Sequence, residues 1–257
     1  RHVLEPVPAF SKNPQDAFGA AFLTAINAGS YDRTQALIFA NRDESKQPNG
    51  WVYIPQLERT QSLASFRAEE SMFGSDILAT DFLSYTGSLV DMEWRYKGST
   101  YTLLPLYRHD RVQSSEKKAR KHDYWHVDFE GRAGCFPKVN WQLRRAYILE
   151  GTAIESGDKA QKRVFYLDSQ TFTPVIWKIY NRSDKLWKFI INSYAHPNTH
   201  IIENNESGAP ISTAFSTIDT LTNRCTTIQL LTVVNPTDVK FKDFDPSRMR
   251  IGGRRFR

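Results

Sequence analysis

His122 and His126, with Asp123 and Asp128 beside them, and His196 and His200 farther along are the residues whose types and spacing come nearest to chemistry. On a helix that spacing puts both imidazoles on one face, where zinc could use them. Neither segment reads as helical: Pro197 interrupts the second pair, and the first lies in a mixed charged and aromatic run. Solvated loops account for both pairs, and no metal is expected. Asp91, Glu93 and Glu150 are carboxylates of the kind glycosidases pair for acid–base work, but their spacing along strands gives no convergence. No Gly-x-Ser-x-Gly elbow, phosphate loop or dinucleotide fingerprint is present. The expectation is a non-enzymatic protein with no catalytic residue and no cofactor.

What the sequence does offer is one-sided apolar surface. In the run from Lys162 to Tyr194, polar turns at residues 168–171 and 181–184 separate three strand-like stretches, Arg163 to Leu167, Val175 to Tyr180 and Leu186 to Ile191. Side chains alternate along a strand, so Lys178 sets Val175, Trp177 and Ile179 on the far side, and Lys188 does the same for Trp187, Phe189 and Ile191. From Asp91 to Leu104, Glu93, Arg95 and Lys97 share one face and Met92, Trp94 and Tyr96 the other. Gly98-Ser99 reads as a turn there, with Tyr101 and Leu103 on a return strand, making a hairpin.

These lining residues need elements to hold them. Further strands are expected at 51–54, 146–152, 212–218 and 226–234, and the charged stretch 107–138 reads as a long loop or insertion. Pro14 to Ala28 is the best helix candidate, with Asp16 ahead of an Ala-rich run and Gly29 as a stop. Many short strands with few helices predict a mainly β protein whose antiparallel sheet curls or closes.

The 257 residues can hold one large all-β domain, and a single domain over 1–257 is expected. Aromatic content of 13% and hydrophobic content of 40% exclude general disorder, and no run approaches the ~18 apolar residues of a membrane helix. The net charge of +6 is local: Arg248, Arg250, Arg254, Arg255 and Arg257 lie in the last ten residues, which contain no acid. That tail reads as a solvated terminus or as a docking element for an anionic surface. Nucleic acid is not expected as a partner, because no DNA- or RNA-reading motif accompanies the basic residues. Cys135 and Cys225 can pair in an oxidising compartment or remain buried thiols. No signal peptide is visible; the chain starts at Arg1, as a processed secreted protein does, though a shortened sequence starts the same way.

Residues 74–101 (GSDILATDFLSYTGSLVDMEWRYKGSTY), 144–152 (RRAYILEGT) and the run KRVFYLDSQTFTPVIWKIYNRSDKLWK together resemble the outer-membrane lipoprotein-sorting-like family of bacterial envelope proteins. The resemblance spans about residues 50–195, with Gly-Ser-Asp at 74–76 and Gly-Ser-Leu at 87–89 as turn elements. It implies a fold similar to the periplasmic lipoprotein carriers LolA and LolB: a curved, incomplete half β-barrel with a few covering helices and a cavity for acyl chains. The lining would comprise Trp94, Tyr96, Tyr101, Trp177, Ile179, Trp187 and Phe189. The helix at 14–28, through Phe18, Phe22 and Ile26, would be its lid.

The leading expectation is therefore a periplasmic or envelope-associated binding protein for a lipid, an acylated protein or another long apolar molecule. The second is an interaction module whose core is filled by its own side chains and which docks on an envelope transporter or outer-membrane protein. A hydrolase of envelope lipids or glycans is the third.

Overall fold

The computed structural model describes residues 17–24, 32–41, 49–62, 71–106, 127–155, 159–200, 204–205, 207–230, 232, 234, 244 and 249. The chain divides into two compact units, one of residues 1–73, 87–90 and 235–257, the other of residues 74–86 and 91–234.

The first unit contains a four-stranded antiparallel meander, β1 (Ala17–Thr24), β2 (Gln35–Asn41), β3 (Asn49–Ile54) and β4 (Arg59–Ser62), in that order. The helix expected over 14–28 is thus replaced at its centre by a strand. Alanine-rich composition favours a helix only weakly, and Gly19 weakens it further. The neighbouring QALIFAN segment offers a full ladder, with Phe22 opposite Leu37 and Leu23 opposite Ala36. Phe18 and Phe22 fall in this strand, and Ile26 lies outside the described residues. Leu37, Phe39 and Met249 form a small core with Trp51, Tyr53 and Phe244 against it; the Phe39 and Trp51 rings meet edge-on at 5.9 Å.

The second unit is built on seven antiparallel strands: β5 (Met92–Leu104), β8 (Gln142–Ala153), β9 (Ala160–Asp168), β10 (Pro174–Asn181), β11 (Leu186–Ala195), β12 (Ile211–Asp219) and β13 (Arg224–Gln229). Each pairs with the next, and between β5 and β8 the chain makes a two-stranded ribbon, β6 (Phe129–Glu130) with β7 (Phe136–Pro137). The sheet is open, with β5 and β13 at its edges, so the expected mainly β, antiparallel and unclosed architecture is the one adopted. The helices among the described residues are single 3-10 turns.

Asx side chains fix three of its hairpins. Asp168 accepts from the backbone N–H groups of Gln170 and Thr171, Asn181 from Ser183 and Lys185, and Asp219 from Leu221 and Thr222. Each stands at the end of a strand, where a short acceptor can replace the interrupted ladder. The turns expected at 168–171 and 181–184 are both present.

The expected hairpin at 91–104 is a correction. Residues 92–104 form one strand with a bulge: Tyr96 faces Leu149, and Gly98 already faces Ile148. Gly98 sits at φ +101°, a conformation open to glycine and costly to other residues. The extra residue reverses the alternation, so that Tyr101 and Leu103 share a face with Trp94 and Tyr96.

Candidate functional site

Following the pairings across the sheet separates its two faces. Tyr96, Leu149, Phe165, Trp177, Ile190 and Thr217 are successive partners from β5 to β12 and share one face, called here the aromatic face. Trp94, Gly151, Arg163, Ile179, Lys188 and Asp219 form the next row on the same face. Ring contacts connect Trp94 to Phe165 (5.9 Å between centroids), Phe165 to Trp177 (6.0 Å) and Trp177 to Phe215 (6.0 Å). Gly151 makes room for the first ring: a Cβ there would lie 2.7 Å from both Met92 Cε and Trp94 Cζ3.

Residues 74–86 cover this face. Tyr85 packs edge-on against Trp94 (5.7 Å) and Phe165 (6.3 Å), and Phe82 against Phe215 (5.7 Å). The segment is irregular, with a 3-10 turn at Ala79–Asp81, and polar contacts tie it to the sheet. Arg163 donates to both carboxylate oxygens of Asp81 (2.9–3.2 Å), and the Trp177 indole N–H donates to Asp81 Oδ1 at 3.2 Å. The Arg163 guanidinium also lies 5.0 Å from the centre of the Tyr85 ring. Asn192 Nδ2 donates to the Leu83 carbonyl at 2.9 Å, and the Asp76 backbone N–H donates to Thr226 Oγ1 at 2.9 Å. Arg163 and Asp81 are both buried, so the bidentate geometry is what offsets the cost of taking two charges out of water.

A second buried cation lies on this face. Lys188 Nζ donates to Asp219 Oδ2 at 3.1 Å and lies 4.8 Å from the Trp187 ring centre, while the Trp187 indole N–H donates to the same oxygen at 3.0 Å. Burial works to raise the Asp219 carboxyl, but the Thr222 backbone N–H and Lys188 together hold it below its ordinary value.

The predicted lining is therefore divided. Trp94, Tyr96, Tyr101, Trp177 and Ile179 share the aromatic face; Trp177 and Ile179 are fully buried there, whereas Tyr96 and Tyr101 are exposed. Phe189 is on the other side, opposite Lys178, and packs with Leu104, Ala146 and Ile176. Trp187 stands at the β10–β11 irregularity, turned toward Asp219. The reversal comes from Lys188: alternation read it as solvent-facing, but its pairing with Ile179 and Asp219 puts it inside. Asp81, Phe82, Tyr85, Phe165 and Phe215 also belong to this face or its cover and are not among the predicted lining. For Phe165 the signal was available, since it lies two positions from Arg163 and from Leu167, on one face of a stretch already expected to be a strand.

The opposite face has its own cover, residues 127–141. Val127, Ala195, Ile211 and Ala214 are buried together with Phe129, Val139 and Val234 against them. Ser216 Oγ donates to the Cys135 carbonyl at 2.6 Å, and a disulfide joins Cys135 to Cys225 on β13. Of the histidine pairs, His122 and His126 lie outside the described residues, as does Asp123. His196 Nδ1 accepts from the Asn198 backbone N–H, and His200 Nδ1 lies 2.9 Å from Asn204 Nδ2, so each is engaged with its own loop. Burial lowers the His200 pKa to about 4. The five arginines of the C-terminal tail also fall outside the described residues.

Comparison with known proteins follows the same outline. A family model described as "Protein of unknown function (DUF1329)" matches residues 12–250. A putative outer membrane lipoprotein-sorting protein domain from Vibrio parahaemolyticus superposes with a TM-score of 0.55 at 14% identity, covering 84% of this chain and 71% of that one. A DUF1329 family protein from Desulfovibrio piger gives a TM-score of 0.55 at 13% identity, covering 87% and 73%. A LolA superfamily protein from Nitrosomonas europaea aligns over 83% and 77% at 14% identity, but at a TM-score of 0.39 that likeness carries no weight. No curated protein matches the chain. At these identities the structural likeness is one of fold, and the resemblance to lipoprotein-sorting proteins drawn from residues 50–195 is borne out at that level.

Proposed function

We propose that this chain, which belongs to the DUF1329 family, is a periplasmic or envelope-associated, non-enzymatic binding protein that takes an apolar chain, the acyl tail of a lipid or lipidated protein, against its aromatic face. The observation that carries this reading is the nature of the cover. A continuous run of rings from Trp94 to Phe215 is closed by residues 74–86, an irregular segment secured by a few polar contacts. An acyl chain that took its place would recover roughly 0.8 kcal/mol per buried methylene, so a modest length offsets the contacts given up. The fold shared with a lipoprotein-sorting protein supports the reading, and the disulfide fits an oxidising compartment such as the periplasm.

The expected result is one-to-one, saturable uptake of a fluorescent fatty acid by delipidated, refolded protein. Asp81→Asn, which loosens the cover, binds more tightly than the parent, and Trp177→Phe more weakly. Absence of saturable uptake in both parent and Asp81→Asn overturns the proposal.

A second reading has an observation of its own. Trp177 is fully buried and hydrogen-bonded to Asp81, as in a permanently filled core, which suits a module that docks on an envelope transporter or outer-membrane protein. Native mass spectrometry of protein purified from its host separates the two: a retained lipid mass supports the carrier, and a bare polypeptide mass the module.

A further inference from the structure

Beyond the bulge the aromatic face leaves its cover. Tyr101 stands opposite Arg145, Leu103 opposite Leu143, and Ser99 opposite Tyr147, so these side chains continue the face that carries Trp94 and Tyr96. Tyr101, Leu143, Phe172, Tyr96 and Leu103 are between 54% and 72% exposed. They are not scattered: Tyr147 lies 6.1 Å from the Tyr96 ring and stacks on Phe172 at 5.8 Å. An apolar cluster of this kind on a soluble surface marks an interaction site.

Its charge identifies the class of surface it meets. Arg145 sits within the cluster, 5.8 Å from the centre of the Tyr147 ring, with Nε donating to Ser99 Oγ at 3.1 Å. Its two terminal nitrogens have no carboxylate among the described residues. The other cations of β5 and β8 are paired: Arg95 with Glu93, Lys97 with Glu150, and Arg144 with Asp168. Glu93 and Glu150 are the only acids of those two strands, and both alternate onto the opposite face. The exposed cluster is thus apolar, tyrosine-rich, singly cationic and free of acid along β5 and β8. Tyrosine favours the headgroup level of a bilayer, where its ring is buried and its hydroxyl is wet; leucine and phenylalanine reach the acyl boundary, and arginine meets lipid phosphate.

We propose that this part of β5 and β8, with the turn bearing Phe172, is a membrane-docking surface that seats the protein on a bilayer containing anionic phospholipid. A protein partner is the rival occupant; a guanidinium with no carboxylate beside it among the described residues, set among tyrosines, fits a phosphate-bearing interface better. The inference stands apart from the ligand reading, because the residues that test it, Leu143, Arg145 and Phe172, lie outside the covered rings, and its readout is different.

The test is flotation of the full chain with phosphatidylglycerol–phosphatidylcholine vesicles and with phosphatidylcholine vesicles alone. The parent partitions onto the mixed vesicles. Leu143→Ser combined with Phe172→Ser lowers that partitioning by about 10-fold or more. Arg145→Gln lowers it by about 5-fold on mixed vesicles and by little on phosphatidylcholine. Leu221→Ser, at an apolar side chain exposed on the β12–β13 turn, changes nothing. All of these variants retain fatty-acid uptake if that proposal holds, and Trp177→Phe retains vesicle binding. Failure of the parent to float, as expected if a protein is the true partner, overturns the inference. So does equal binding by the parent and the Leu143→Ser, Phe172→Ser variant, which would leave the basic tail to explain the attraction.

Discussion

The two faces of the seven-stranded sheet are covered by different means. Residues 127–141 are bound to the opposite face by a covalent link, Cys135 to Cys225, which closes a sequence separation of 90 residues. Residues 74–86 rest on the aromatic face through one buried ion pair, a few hydrogen bonds and ring contacts. The contrast assigns different tasks to the two covers. A covalent strap holds its segment near the sheet even after local opening, whereas the polar latch has no such tether, and on the proposed reading it gives way to an acyl chain over the rings. The cover on the face proposed to bind is thus held by noncovalent contacts, and the other by a covalent bond as well.

The largest effect expected is from the strap. Replacing Cys135 and Cys225 with serine should cost about 4–5 kcal/mol by loop entropy, measured as a lower urea midpoint. Hydrogen exchange should then quicken in residues 127–141, in β13 and at Asp76, whose N–H is held by Thr226, while 77–86 stays protected; the reverse pattern would break the comparison. Next comes the latch. Asp81→Ala takes the carboxylate from the buried Arg163 guanidinium and should cost about 3 kcal/mol, with faster exchange confined to 74–86. Equal loosening of both covers would show them to be one cooperative unit. A smaller effect, about 1–2 kcal/mol, is expected from Gly151→Ala, whose Cβ must displace the Trp94 ring or the Met92 methyl; reduced Trp fluorescence anisotropy would report it.

Acid should act first on the strapped side. His200 is held with its pKa near 4 by burial, so between pH 6.5 and about 4 the unfolded chain binds a proton that the folded chain does not, and stability falls with pH over that window. Asn204, beside His200, donates to the Thr232 carbonyl and accepts from the Val234 backbone N–H; Val234 packs in the cluster under residues 127–141. Asp168 and Asp219 behave differently. Burial opposes their ionisation, but Arg144 and Thr171 at Asp168, and Thr222 and Lys188 at Asp219, hold both below the ordinary carboxylate value. Their stabilisation persists down to that value and is lost only as pH falls through the lower folded values. Unfolding midpoints followed against pH should show two declines, and His200→Asn should remove the upper one alone.

Much of the sheet was legible because turn chemistry and alternation are local. The strands around Trp177 and the turns at Asp168 and Asn181 follow from residue order and stand where expected. Failures came where distant chain decided the outcome. The Ala-rich segment at 17–24 is a strand because β2 offers it a ladder, and Lys188 is buried because Asp219, far along the chain, waits opposite it. The cover of the aromatic face was missed for a related reason: an irregular segment has no period to detect, and Asp81 acquires its meaning only from Arg163 and Trp177. Of the predicted lining, the five residues on one face were recoverable from β5 and β10, while Phe189 was misplaced along with its neighbour Lys188.

Gly98 has a consequence for how this chain tolerates change in length. By adding one residue to β5 it shifts parity, so that Tyr96 and Tyr101, five positions apart, point the same way. Deleting that extra residue would remove the bulge and keep Tyr101 and Leu103 on this face; a single deletion elsewhere between Tyr96 and Tyr101, with the bulge kept, would turn both over to the side of Glu93 and Arg95 and leave Leu143 and Arg145 on β8 without the neighbours that complete the surface. Insertions and deletions elsewhere in this strand are therefore read in pairs, as in a frame, while the bulge is the place where a single residue can be lost without turning the side chains over.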